Sequence, residues 1–83
     1  MTPDVIAVRA MPDYTLVAQF ETGEWRIFAM HSYLAFPAFA PLWDVALFAR
    51  VHVAHGTVAW TDEIDLSPDT LYLRGLPWEE GAA

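Results

Sequence analysis

The sequence predicts an α+β fold on three observations. Three strand-like segments fill residues 5–30, the middle one with clear apolar and polar alternation, the apolar spacing lengthens to a helical period after Pro41, and Ser67-Pro68 opens a second helical stretch. The β-branched run VIAVRAM, residues 5–11, reads as the first strand, and Pro12-Asp13 reads as the turn that ends it. In the next segment, Tyr14, Leu16, Ala18 and Phe20 fall on one side while Thr15, Gln19 and Glu21 fall on the other. Thr22-Gly23 then makes a tight connection, the glycine supplying the positive φ a hairpin turn needs, and EWRIFAM returns as a third strand. The three strands form an antiparallel meander. Trp25 and Ile27 face one way in the third strand and Phe28 and Met30 the other, so both of its faces are expected to be covered.

Pro37 and Pro41 cannot sit inside a regular element, and the pattern changes around them. Leu42, Val45, Ala46 and Ala49 follow the i, i+3, i+4, i+7 spacing, which predicts a short helix starting just after Pro41. Only Asp44 is polar between Leu42 and Ala49, so this helix is expected to be covered on most sides. RVHVA and TVAW, joined by His55-Gly56, read as a β-hairpin with Val51, Val53, Val58 and Trp60 turned inward. Ser67-Pro68 has the form of a helix start, with a serine cap, proline at the first position, Asp69 in the first turn and Leu71-Tyr72 on the buried side. Residues 76–83 are expected to form a loosely held tail on a single domain spanning residues 1–83.

A chain of 83 residues buries only about 60 to 65% of its unfolded surface, yet an apolar content of 55% with four Trp, five Phe and three Tyr supplies a core. There is no cysteine, so neither a disulfide framework nor a thiolate metal site is available. The N-terminal residues lack the basic start and apolar run of a secretory signal, and residues 33–48 are too interrupted to span a bilayer, so the expected compartment is the cytoplasm with no membrane contact. Eleven acids against four arginines give a formal charge of -7. That field repels a phosphate backbone, so no direct nucleic-acid binding is expected, and it attracts a basic protein partner.

The densest polar cluster is Asp62, Glu63, Asp65 and Asp69. These carboxylates are the ligand type that calcium and magnesium prefer, but the spacing lacks the glycine and terminal bidentate glutamate of a calcium loop. Helix capping and solvation account for them better. His52 and His55 would share a helical face, but in a strand and its turn they are spread apart, with His31 elsewhere. Ser32, Ser67 and the threonines have no nucleophile elbow, and the four glycines stand singly, without a phosphate-binding loop. The sequence calls for no catalytic residue, no cofactor and no metal ligand, and the expected class is a non-enzyme; a weak enzyme using His31, His52 or His55 is the least favoured reading.

Phe36, Phe39, Trp43, Phe48 and Trp60 are first of all core candidates in so short a chain. Small domains also complete their cores by association, so Phe36, Phe39, Trp43, Leu47 and Trp78 form the candidate interface, with a homodimer expected. The competing reading is a sensory pocket for a small apolar ligand, enclosed by Phe36, Trp43 and Trp60.

The order of landmarks carries a resemblance. Tyr14, Leu16 and Phe20, then Gly23-Glu24, Arg26 and Phe28, then Phe39, Leu42, Asp44 and Phe48 are followed by Val51, Val53, Trp60, Asp65 and the run LSPDTLY from Leu66. This pattern, over residues 5–75, resembles the bacterial domain of unknown function 2442 (DUF2442). Ala29-Met30 departs from it, standing where many relatives carry an acid after the phenylalanine. The resemblance implies a small α+β domain, alone or fused to a helix-turn-helix, working beside another small protein in a toxin-antitoxin-like or transcription-regulatory pair. The expectation drawn from residues and resemblance together is a non-enzymatic interaction module that binds a more basic protein encoded nearby.

Overall fold

One glycine-marked turn and one strained one set the meander of the first sheet. In this computed structural model, which describes residues 2–79, the strands are β1 (Val5–Met11), β2 (Thr15–Phe20) and β3 (Trp25–Ala29), paired antiparallel in sequence order. Gly23 closes the β2–β3 turn at φ +90°, donating its N–H to the Phe20 carbonyl at 2.8 Å. The β1–β2 connection places Asp13 and Tyr14 at φ 62° and 56°, a left-handed region that aspartate tolerates and tyrosine rarely enters.

After β3 the chain runs through two 3-10 helices, His31–Ala35 and Pro37–Trp43, and a single α-helical turn, α1 (Val45–Phe48). The predicted helix after Pro41 is therefore later and shorter than its spacing suggests. Pro37 and Pro41 have no N–H to donate to carbonyls four residues back, so the segment winds as 3-10 until Asp44 caps α1 by accepting from the Ala46 N–H at 3.0 Å. Coverage also differs from the expectation: Leu42 and Phe48 are buried, whereas Val45 is 68% exposed.

A second sheet follows, made of β4 (His52–Ala54), β5 (Thr57–Ala59) and β6 (Asp65–Leu66) in that order. His55 and Gly56 both take positive φ in the β4–β5 turn, the backbone twist that tight hairpins require. Val58 and Trp60 are buried as expected, Val51 is half-buried, and Val53 faces outward. The two sheets are stitched where the Val5 N–H meets the Gly56 carbonyl at 2.9 Å.

Helix α2 (Pro68–Arg74) starts as the sequence indicates, the Ser67 hydroxyl accepting from the Asp69 N–H at 3.1 Å. Its far end is held by Arg26, which donates to the carbonyls of Tyr72 at 2.6 Å and Gly75 at 3.3 Å, lies 4.1 Å above the Tyr72 ring and pairs with Glu24 at 2.8 Å. The chain then returns as β7 (Leu76–Pro77) on the outer edge of β3, completing a sheet of order β1-β2-β3-β7. This corrects the expected loose tail at its first residues, because the Trp78 N–H also donates to the Trp25 carbonyl at 3.0 Å. Residues 80–83 of that tail lie outside the described residues.

The core gathers Leu16, Ala18 and Phe20 of β2 with Phe28, Met30, Leu42, Phe48, Trp60 and Leu71. Val17, on the opposite face of β2, is also fully buried. Its in-register neighbours are Arg9 and Ile27, and the Arg9 guanidinium lies 5.5 Å from the Trp25 ring and 5.7 Å from the Trp78 ring. The outer face is thus covered over Val17 but only partly over the third strand, where Trp25 and Ile27 are half-buried and Ala29 is exposed. Among the described residues, no helix is long and apolar enough to cross a membrane.

Candidate functional site

The proline-broken segment between β3 and β4 cannot fold its apolar side chains onto one helical face, so some of them remain outside. Phe36 is 56% exposed, Trp43 49% and Val45 68%. Trp43 is nevertheless held in place. Its indole N–H donates to the Leu34 carbonyl at 3.1 Å, its own carbonyl accepts the Tyr14 hydroxyl, and its ring meets the edges of Tyr14 at 5.5 Å and His31 at 5.4 Å. Tyr14 also packs edge-on against Phe48 at 5.1 Å, which joins this surface to the core. A large aromatic that is exposed yet already ordered loses little entropy on contact, the property that makes tryptophan effective at interfaces. The Asp44 carboxylate stands exposed between Trp43 and Val45 and gives the apolar rim a negative flank.

Of the five candidate interface residues, Phe36 and Trp43 lie at this surface, and Phe39 and Leu47 are half-buried and pack on the core beneath it. Trp78 lies elsewhere, edge-on to Trp25 at 5.6 Å on the outer face of the first sheet. Tyr14, which positions Trp43 from 29 residues away, carries no signal for that role in the sequence. The aromatic pocket does not form as drawn. Trp60 is buried, stacks on Phe48 at 6.1 Å and donates its N–H to the Phe48 carbonyl at 3.0 Å, while Phe36 and Trp43 face outward.

Asp62, Glu63, Asp65 and Asp69 are all exposed. The Thr61 hydroxyl accepts the N–H groups of Glu63 and Ile64, both at 3.1 Å, so the loop is shaped by its threonine. His52 and His55 sit in a strand and its turn as predicted, but they are less separate than that implies: both line one cavity of about 350 Å³ with Thr57, Thr61, Asp62 and Asp65. His31 belongs instead to the Trp43 cluster. No group of three or more histidines and acids is placed to hold a metal ion among the described residues.

The landmarks on which the resemblance rests occupy the core and the turns of this fold: Leu16, Phe20, Phe28, Leu42, Phe48, Trp60 and Leu71 pack together, and Asp44 and Ser67 cap the two helices. The family described as protein of unknown function (DUF2442) matches residues 5–77. The chain is a member of the DUF2442 family. No curated protein matches it. A solved structure of the same fold is "Crystal Structure of Putative DNA Binding Protein NE0471 from Nitrosomonas europaea ATCC 19718", with a TM-score of 0.76 and 35% sequence identity. The match covers 87% of this DUF2442 chain and 48% of that protein, so the chain spans about half of its length.

That description of the Nitrosomonas protein overturns the exclusion of nucleic acid drawn from the charge of -7. Net charge sums the whole surface, whereas phosphate contact needs only a local excess of cations. The charge of -7 therefore does not by itself exclude nucleic acid for this chain.

Proposed function

We propose that this DUF2442 domain is a non-enzymatic interaction module of a regulatory pair, of the toxin-antitoxin or transcription-regulatory kind, and that it engages a more basic protein through the rim formed by Phe36, Trp43 and Val45. The observation that carries the reading is Trp43: a half-exposed indole fixed by its own hydrogen bond to Leu34 and two ring contacts, on a residue whose backbone carbonyl is held by the Tyr14 hydroxyl, beside the exposed carboxylate of Asp44. A cation-bearing, partly apolar surface matches that pairing of ring and acid. The regulatory part draws support from the Nitrosomonas protein, which is described as DNA binding and of which this fold makes up about half.

The test mixes the chain with the basic protein encoded beside it and follows mass by light scattering and affinity by calorimetry. A complex is expected, weakened about tenfold or more by Trp43→Ala, since an anchoring tryptophan contributes about 2 kcal/mol or more. Two unmixed masses, or a Trp43→Ala variant that binds as well as the parent, would sink the proposal. Fluorescence anisotropy with duplex DNA runs alongside. Saturable binding of the isolated chain at physiological salt would assign the contact to nucleic acid instead.

A further inference from the structure

A second surface borders that rim through Tyr33, whose ring lies 6.1 Å from that of Phe36, at the corner where the last strand leaves the sheet. β7 pairs only with Arg26 and Ile27, because the chain turns away at Gly75, and Phe28 and Ala29 have no strand partner on that side. A cavity of about 470 Å³ opens there. Its walls include Ile27, Ala29 and Leu76, the last 67% exposed, and three polar side chains also line it: Thr15, Tyr33 and Arg74. The two hydroxyls and the guanidinium make no hydrogen bond or ion pair among the described residues. Several comparable groups elsewhere in the fold are already engaged. The hydroxyls of Tyr14, Thr57 and Ser67 are each engaged by backbone groups, and Arg26 is taken up by Glu24, Tyr72 and Gly75.

We infer that this cavity binds a small organic monocarboxylate with an apolar body. Its volume falls within the range of small-molecule sites, roughly 300 to 1,000 Å³, and its make-up follows their pattern of apolar walls with a few polar groups. A guanidinium takes a carboxylate through two parallel N–H···O bonds, and hydroxyls on the same wall donate to the remaining lone pairs. No acid lines the cavity among the described residues, so nothing there recommends an amine. The cavity of His52 and His55, with Asp62 and Asp65 in its wall, has the opposite character. An extended peptide pairing with the open edge of β3 is the rival occupant, but two free residues give too few ladder bonds to hold a strand. The inference stands apart from the partner reading, since none of the residues it uses belongs to the Trp43 rim.

The experiment titrates 4-phenylbutyrate and hexanoate, each against its neutral amide, into the 15N-labelled chain and follows the amide resonances. Saturable shifts are expected at Thr15, Ala29, Tyr33 and Leu76, with each carboxylate binding about tenfold or more tightly than its amide. Arg74→Gln should remove that preference while leaving the dispersed spectrum and the weak amide binding intact, and Leu76→Glu should weaken acid and amide alike. The inference is overturned if neither acid gives saturable shifts by about 10 mM, if amide and acid bind equally, or if Arg74→Gln changes nothing. It is also overturned if only an extended peptide perturbs Ala29.

Discussion

Tyr14 shows how much one side chain can hold. Its backbone sits at φ 56°, a conformation that costs a non-glycine residue about 1 to 2 kcal/mol, and its hydroxyl and ring contacts to Trp43 and Phe48 offset that cost. Tyr14→Phe keeps the ring and removes the donor, so it should cost about 1 kcal/mol and lower the melting temperature by about 5 °C, with the Trp43 indole resonance broadened. An unchanged indole signal would mean the hydroxyl does not position the ring. Gly75 is constrained by space instead of by φ. A Cβ there would stand 2.4 Å from the Leu71 carbonyl oxygen, a backbone atom that cannot move without unwinding α2. Gly75→Ala is therefore expected to destabilise the fold by about 2 kcal/mol in urea titration, whereas Gly23→Ala, with open space around it, is limited to the strain of its positive φ. Neither constraint has a signature in the sequence. Tyr14 reads as an ordinary inward strand residue, and Gly75 is one of four glycines that stand singly.

At the level of elements, legibility follows periodicity. The alternation in β2 and the Ser67-Pro68-Asp69 cap are strong local signals, and both elements stand where they were read. The helix after Pro41 fails because the spacing of Leu42, Val45, Ala46 and Ala49 imitates a helical face in a segment whose prolines withhold the donors a helix needs. β7 is only two residues long, too short to show any period, and it is placed by the tie between Arg26 and the end of α2. That tie is testable. Arg26→Met leaves the Tyr72 and Gly75 carbonyls without their donor, so amide exchange should accelerate in α2 and at residues 76–78 well before it does in β1 and β2, with a total loss of about 2 kcal/mol. Uniform acceleration across all elements would show that the arginine acts on the whole fold and not on this junction.

Over the whole molecule, the densest acidic cluster lies apart from the greasy surface: the acids of residues 61–69 are exposed between β5 and the start of α2, whereas Asp44 is the acid that flanks the aromatic rim. The family and the α+β architecture were legible because they depend on the order of landmarks along the chain. Phe36 and Trp43 of the rim were legible as interface candidates, but the support of Trp43 by Tyr14 and the carboxylate-type cavity were not, because each joins residues far apart in sequence, Tyr14 with Trp43 and Thr15 with Arg74. A charge of -7 predicts the kinetics of meeting a basic partner: the association rate should fall by about tenfold between 0.05 and 0.5 M salt while the dissociation rate changes little. Stopped-flow traces insensitive to salt would mean that the charge serves solubility alone.

The pairing of β3 with β7 bears on how the protein is made. About fifty residues separate Arg26 from its partner Pro77, so this closure trails the local hairpins, and during synthesis it must wait for the end of α2 to leave the ribosome. Until then the nascent meander carries the bare edge of Trp-Arg-Ile-Phe-Ala, a sticky template for any other unfinished copy nearby.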